Sequence, residues 1–214
     1  MKKDLTELVF ILDRSGSMSG LEADTIGGYN SFLEKQKEVK GSCLVSTVLF
    51  NQYSSVVHDR VDIRQINKME KADYFASGTT ALIDALGDAI HHIRNVHKYI
   101  REEDVPQQTI FVIITDGLEN ASHKYDSSSV KQLVEQQKEK GWEFVFLGAN
   151  IDAVETAKTY GIDEDRSVDF RCDEQGIGTN FRTLNEMVRK SRVNGYIDAE
   201  WSAEIADDYQ RRKD

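Results

Sequence analysis

Apolar residues along the chain fall into two patterns. Short, nearly continuous runs rich in Val, Ile, Leu and Phe occupy residues 8–12, 43–50, 110–114 and 144–147. A run that is apolar on both faces predicts a strand buried on both sides, as in a parallel sheet covered by helices. Residues 54–61 are more polar, with Val56, Val57 and Val61 set among Ser, His and Asp. That mixture predicts an edge strand, paired antiparallel through a hairpin.

The second pattern has helical spacing. Leu82, Leu86, Ala89, Ile90, Ile93, Val96 and Ile100 follow one another at three and four residues, which makes one buried stripe. Further helices are predicted over 21–39, 128–140 and 151–160, the last two stopped by Gly141 and Gly161, where glycine commonly closes a helix. Residues 176–179 read as a turn leading to a helix over 180–192 that is capped by Asn180. Strands alternating with helices predict an α/β fold, a doubly wound and mostly parallel sheet of about six strands with one antiparallel edge and helices on both faces. One domain is expected over 1–196, followed by a charged C-terminal helix or surface tail over 197–214.

Charge and composition narrow the function. The chain has 214 residues, 37 acidic and 27 basic, for a formal charge of −10, and it has no polybasic block. Such a chain repels phosphate backbones and anionic lipid, so neither nucleic acid nor membrane is an expected partner. No apolar stretch approaches the roughly 18 to 20 residues of a membrane span. The run at 8–12 is broken by Asp13 and Arg14 with no small-residue cleavage site, so export is not expected. Cys43 and Cys172 make no disulfide framework, which fits a reduced cytoplasm.

In a doubly wound sheet, ligands bind beyond the carboxyl ends of the strands. After the first run stand Asp13, Ser15 and Ser17, spaced by two, so a nearly extended chain turns three oxygens the same way. After the third run stand Asp116 and Gly117, and the segment 77–82 carries Ser77, Thr79 and Thr80 at the start of the longest helix. Carboxylates and hydroxyls from three strand-end loops are hard donors, suited to a small divalent cation such as Mg²⁺.

These elements resemble the three parts of the metal-ion-dependent adhesion site of von Willebrand factor A domains. The matching pieces are Asp-x-Ser-x-Ser at 13–17, Gly-Thr-Thr-Ala-Leu at 78–82 and Ile-Thr-Asp-Gly at 114–117. The wider frame, over most of residues 5–190, is similar to the stand-alone bacterial members. The resemblance implies a Rossmann-like fold in which Ser15, Ser17 and Thr80 bind the metal directly, while Asp13 and Asp116 bind it directly or through water. It favours Thr80 over Thr79, because the family's threonine sits two residues before the leucine. It further implies Mg²⁺ or Mn²⁺ ahead of Ca²⁺, and a partner protein that presents a Glu or Asp to the metal, with no catalysis. If neutral hydroxyls are the direct ligands, the cation keeps enough charge to attract that acidic residue; an aspartate moving into contact would weaken the attraction.

Blander and rival readings exist for the same residues. Asp13 and Thr80 are ordinary N-cap residues, and Ser15 and Ser17 ordinary loop residues. A metal-assisted hydrolase could use Asp13 as nucleophile, as phosphatases of the haloacid-dehalogenase type do. Those need a second aspartate two residues on, where this chain has Ser15. A scaffold with a vestigial metal site is the third expectation. His91, His92 and His97 lack the four-residue spacing of a zinc pair and read as a helix face. Glu119, Asn120 and His123 read first as a solvated loop that could also rim the site, and Arg14 is expected to be an exposed side chain.

Overall fold

The computed structural model describes residues 1–212. Its centre is a six-stranded sheet in the order β3-β2-β1-β4-β5-β6. The strands are β1 (Lys2–Asp13), β2 (Ser42–Phe50), β3 (Ser54–Asp62), β4 (Pro106–Thr115), β5 (Trp142–Gly148) and β6 (Ser167–Asp169). All neighbours pair in parallel except β3, which runs antiparallel to β2 at the edge. The helices are α1 (Glu22–Lys37), α2 (Leu82–Tyr99), α3 (Ser127–Lys138), α4 (Ala153–Thr159), α5 (Glu174–Asn194) and α6 (Ala203–Arg211).

The continuous apolar runs arise because the sheet has a core on each face. Leu8, Phe10 and Leu12 of β1 pack with Tyr29 and Phe32 of α1 and with Leu184 and Val188 of α5. The alternate residues Val9 and Ile11 pack with Leu82, Leu86 and Ile90 of α2 and with Val130 and Val134 of α3. Each such side chain contributes about 1.5–3 kcal/mol when fully buried. Strand order turns around at β1, whose neighbours are β2 and β4. The carboxyl ends of β1 and β4, where Asp13 and Asp116 lie, therefore flank the switch point at which doubly wound sheets open a crevice.

One sequence expectation, the start of α5, needs correction. Helix α5 begins at Glu174 and is capped by Asp173, whose carboxylate accepts the Gly176 amide at 2.8 Å. Residues 176–179 are thus helical and not a turn. Gly176 is there for closeness, since a Cβ on it would sit 1.9 Å from the Arg171 carbonyl oxygen. Strand β6, three residues long against Phe146, Leu147 and Gly148, left no readable apolar run. Beyond α5, Ile197, Trp201 and Ile205 are buried in the α1/α5 core, so the segment from 197 is packed through α6, while its last two residues lie outside the described range. Among the described residues, no helix is long and apolar enough to cross a membrane.

Candidate metal centre

Asp13 is the last residue of β1 and is 2 % exposed. Its Oδ1 accepts the Ser15 amide at 2.7 Å, and its Oδ2 accepts the Thr115 hydroxyl at 2.6 Å. Its carbonyl accepts the Tyr74 hydroxyl at 2.5 Å. Both ends of the side chain are therefore fixed in place. Burial raises the Asp13 carboxyl above the usual carboxylate range; the bonds from Thr115 and Ser15 oppose that shift, and the neighbouring Asp116 carboxylate adds to it. A buried carboxylate beside a second one is stabilised by a nearby cation.

The chain of contacts runs on from Asp13. The Ser15 and Ser17 hydroxyls lie 3.0 Å apart, and Ser17 Oγ donates to Asp116 Oδ1 at 2.6 Å. On its other oxygen, Asp116 Oδ2 faces the Cys172 thiol at 3.6 Å. Burial, and next the Asp116 charge, push that thiol up to about 12, so it stays protonated and donates.

Thr80 reaches the same place from a third loop. Thr79 is exposed, whereas Thr80 is buried. A Cβ built on Gly117 would lie 3.7 Å from Ser17 Oγ and 3.8 Å from Thr80 Oγ1, so a glycine after Asp116 leaves open the space these hydroxyls face. Thr80 does not cap α2. The free amides at that helix start are met by Glu119, which accepts from Ile83 at 2.8 Å, and by Ser122, which accepts from Asp84 at 3.0 Å. Other groups do the capping, and the Thr80 hydroxyl is left for the crevice.

The supporting loops interlock. Gly16 donates its amide to the Gly78 carbonyl at 3.0 Å, and Ala81 donates to Asn51 at 2.8 Å. Gly78 has φ +76°, a left-handed conformation that costs a residue with a side chain about 1 kcal/mol or more. Asn120 clamps Thr80 on both sides: its Oδ1 accepts the Thr80 amide, and its own amide donates to the Thr80 carbonyl, each at 3.0 Å.

Asp13, Ser15, Ser17, Thr80 and Asp116 are thus assembled at one end of the sheet. Sequence reasoning missed Thr115 and Tyr74, whose roles depend on partners far along the chain. Glu119 and Asn120, which read first as a solvated loop and otherwise as a rim, organise α2 and Thr80. Arg14 is a correction: its guanidinium is half-buried, donates to the Asp73 carbonyl at 3.3 Å and covers the Phe75 ring at 5.1 Å. The segment before α2 folds back over it, which strand alternation alone could not foretell. Among the described residues, no three His, Cys, Asp or Glu side chains converge as a metal cluster. The hydroxyl-rich oxygen set therefore fits a hard cation better than a soft one.

The family model of the von Willebrand factor type A domain matches residues 7–176. The chain belongs to that family. No curated protein matches it in sequence. Among solved structures, it is similar to proximal thread matrix protein 1 from the mussel byssus, with a zinc-occupied MIDAS motif (TM-score 0.58, 14% identity, covering 88% of this chain and 47% of that one). It therefore spans about half the length of that protein. It is also similar to the vWF domain of the type V pili tip protein Mfa5 from Porphyromonas gingivalis (TM-score 0.62, 11% identity, 90% and 98% covered). A third is the manganese-loaded TRAP protein of Plasmodium vivax (TM-score 0.56, 17% identity, 85% and 74% covered). At these identities the likeness is one of fold.

Proposed function

We propose that this chain is a divalent-metal-dependent protein-binding module, without catalytic activity, whose site is made by Asp13, Ser15, Ser17, Thr80 and Asp116. The observation that carries this reading is the continuous contact path from Asp13 through Ser15 and Ser17 to Asp116, with the Thr80 hydroxyl turned to the same opening beside Gly117. Mg²⁺ or Mn²⁺ bound there would supply an attachment point for a carboxylate oxygen, so that a Glu or Asp of a partner protein completes the site. The metal-occupied neighbours, one with zinc and one with manganese, support a divalent cation in general.

The residues themselves do three things. The hydroxyls of Ser15, Ser17 and Thr80 offer neutral donors, which leave positive charge for an incoming acid. The carboxylates of Asp13 and Asp116 balance the rest. Leu118, exposed and two residues past Asp116, offers an apolar contact next to the acid-binding point. A hydrolytic role for Asp13 is disfavoured, since both its oxygens are engaged and position 15 holds a serine. Free Cys43 and Cys172 support a reducing, cytoplasmic setting.

Metal titration tests the reading. Mn²⁺ at millimolar concentration is expected to raise the melting temperature of the wild type, following RT ln(1 + [L]/Kd), and to leave Ser15→Ala unmoved. Equal responses of the two proteins, or none in either, would overturn it.

A further inference from the structure

A second candidate site lies at the opposite end of the sheet. A cleft of about 550 Å³ opens where β4 and β5 begin, between the last turn of α2 and the end of α3. Among its walls are Arg94, His97, Lys98, Gln137, Lys140 and Trp142. Its described lining contains no Asp or Glu, although the whole chain carries ten more acidic than basic residues (37 − 27).

The cations in the cleft lack carboxylate partners among the described residues. Arg94 Nη2 donates to His91 Nδ1 at 2.9 Å, Lys98 lies over the Tyr99 ring at 5.2 Å, and Lys140 reaches only Gln137 Oε1 at 3.4 Å. Elsewhere on the surface, Lys37, Lys124, Lys138, Arg166 and Arg182 each hold a carboxylate. His97, the remaining basic side chain of the wall, is held by Glu7, which also binds Arg60.

A cation in the last turn of a helix can simply answer the exposed carbonyls there. That covers Lys98, but not Arg94, which stands more than a turn earlier. A separate observation points to an acceptor in the cleft. Gln137 is 1 % exposed, and its Nε2 has no hydrogen-bond partner. An unpaired buried amide costs about 1–3 kcal/mol, and an oxygen-rich ligand would remove that cost. The volume falls within the roughly 300–1,000 Å³ of small-molecule sites.

We propose that this cleft binds a phosphorylated small molecule, its phosphoryl oxygens held by Arg94, Lys98 and Lys140 and a further acceptor by Gln137. Charge-assisted bonds from guanidinium and ammonium groups to phosphate oxygens are the strongest such side chains make. The site is independent of the metal reading, because it sits at the amino ends of the strands and uses none of the same residues.

ADP is the probe, titrated into the full chain by calorimetry in EDTA, so that no metal can bridge it to the other end of the sheet. Saturable binding is expected, with pyrophosphate competing and affinity falling as salt rises. Lys98→Gln together with Lys140→Gln should weaken it about tenfold or more, which is about 1.4 kcal/mol, while Lys71→Gln, outside the cleft, should not. Gln137→Leu separates binding from folding: ADP affinity should fall while the melting temperature holds or rises. The absence of ADP binding at millimolar concentration, or binding that survives the double substitution, would overturn the proposal.

Discussion

The hydroxyl of Ser17 donates to the carboxylate of Asp116 at 2.6 Å, across 99 positions of sequence. This contact ties the loop after β1 to the loop after β4 over the switch point of the sheet. It also brings the Asp116 carboxylate near the buried Asp13, whose carboxyl burial already raises and whose ionisation that neighbouring charge opposes further.

Asp116→Ala should therefore divide stability from binding. In EDTA its unfolding free energy is expected to lie within about 1 kcal/mol of the wild type, because loss of the Ser17 contact is offset by relief of the paired carboxylates. With millimolar Mn²⁺ the wild type should gain stability and the variant should not. Urea unfolding with and without metal measures both; a variant that still gains with metal would remove Asp116 from the site.

Glu7 offers a test away from the crevice. It lies in the middle of β1, is 0 % exposed, and its two oxygens bind Arg60 and, at 2.6 Å, His97 Nε2. Glu7→Ala leaves a half-buried guanidinium and a ring nitrogen without their partner. A loss of about 3–5 kcal/mol is expected from breaking a buried pair on one side. Chemical denaturation checks it, and a loss under about 1 kcal/mol would mean that the pair relaxes into solvent.

His58 should make the fold acid-sensitive. It is buried on β3 near Tyr29 and Thr47, and burial holds its pKa below the usual value of about 6.5. Between the folded and unfolded values the unfolded chain binds more protons, so stability is full above about pH 6.5 and declines as pH falls below it. Comparing melting temperatures at pH 7.5 and 5.5, about one unit either side of that value, the drop should be smaller in His58→Phe than in the wild type. An unchanged drop would place the acid sensitivity elsewhere.

What the sequence made legible followed from periodicity and local spacing. β1, β2, β4 and β5 were readable because both faces of each are buried, and β3 because its polar edge breaks the pattern. β6 has too few residues to show a period, and the start of α5 was hidden by two glycines, of which Gly176 serves close packing on Arg171, not turning. Asp13, Ser15 and Ser17 are neighbours, so their spacing carried information. Thr115, Tyr74 and Asn120 gain their roles from contacts 40 to 102 residues away, which no local pattern encodes.

Asn120 gives the clearest separation between holding a ligand and positioning one. Its side-chain oxygen and its backbone amide grip the Thr80 backbone at 3.0 Å each, from an exposed position. Asn120→Ala removes the side-chain half of that grip and leaves every oxygen of Asp13, Ser15, Ser17, Thr80 and Asp116 in the chain. One hydrogen bond of this kind contributes about 0.5–1.5 kcal/mol. If all of it goes into fixing Thr80, Mn²⁺ affinity should drop by about two- to tenfold. Asn120→Asp keeps an acceptor for the Thr80 amide and should recover most of the loss, because the oxygen that matters is retained. Calorimetric titration of Mn²⁺ into the three proteins decides the matter: equal affinities would show that main-chain bonds, the Asn120 amide to Thr80 and those of Gly16 and Asn51, hold the Thr80 loop without the Asn120 side chain.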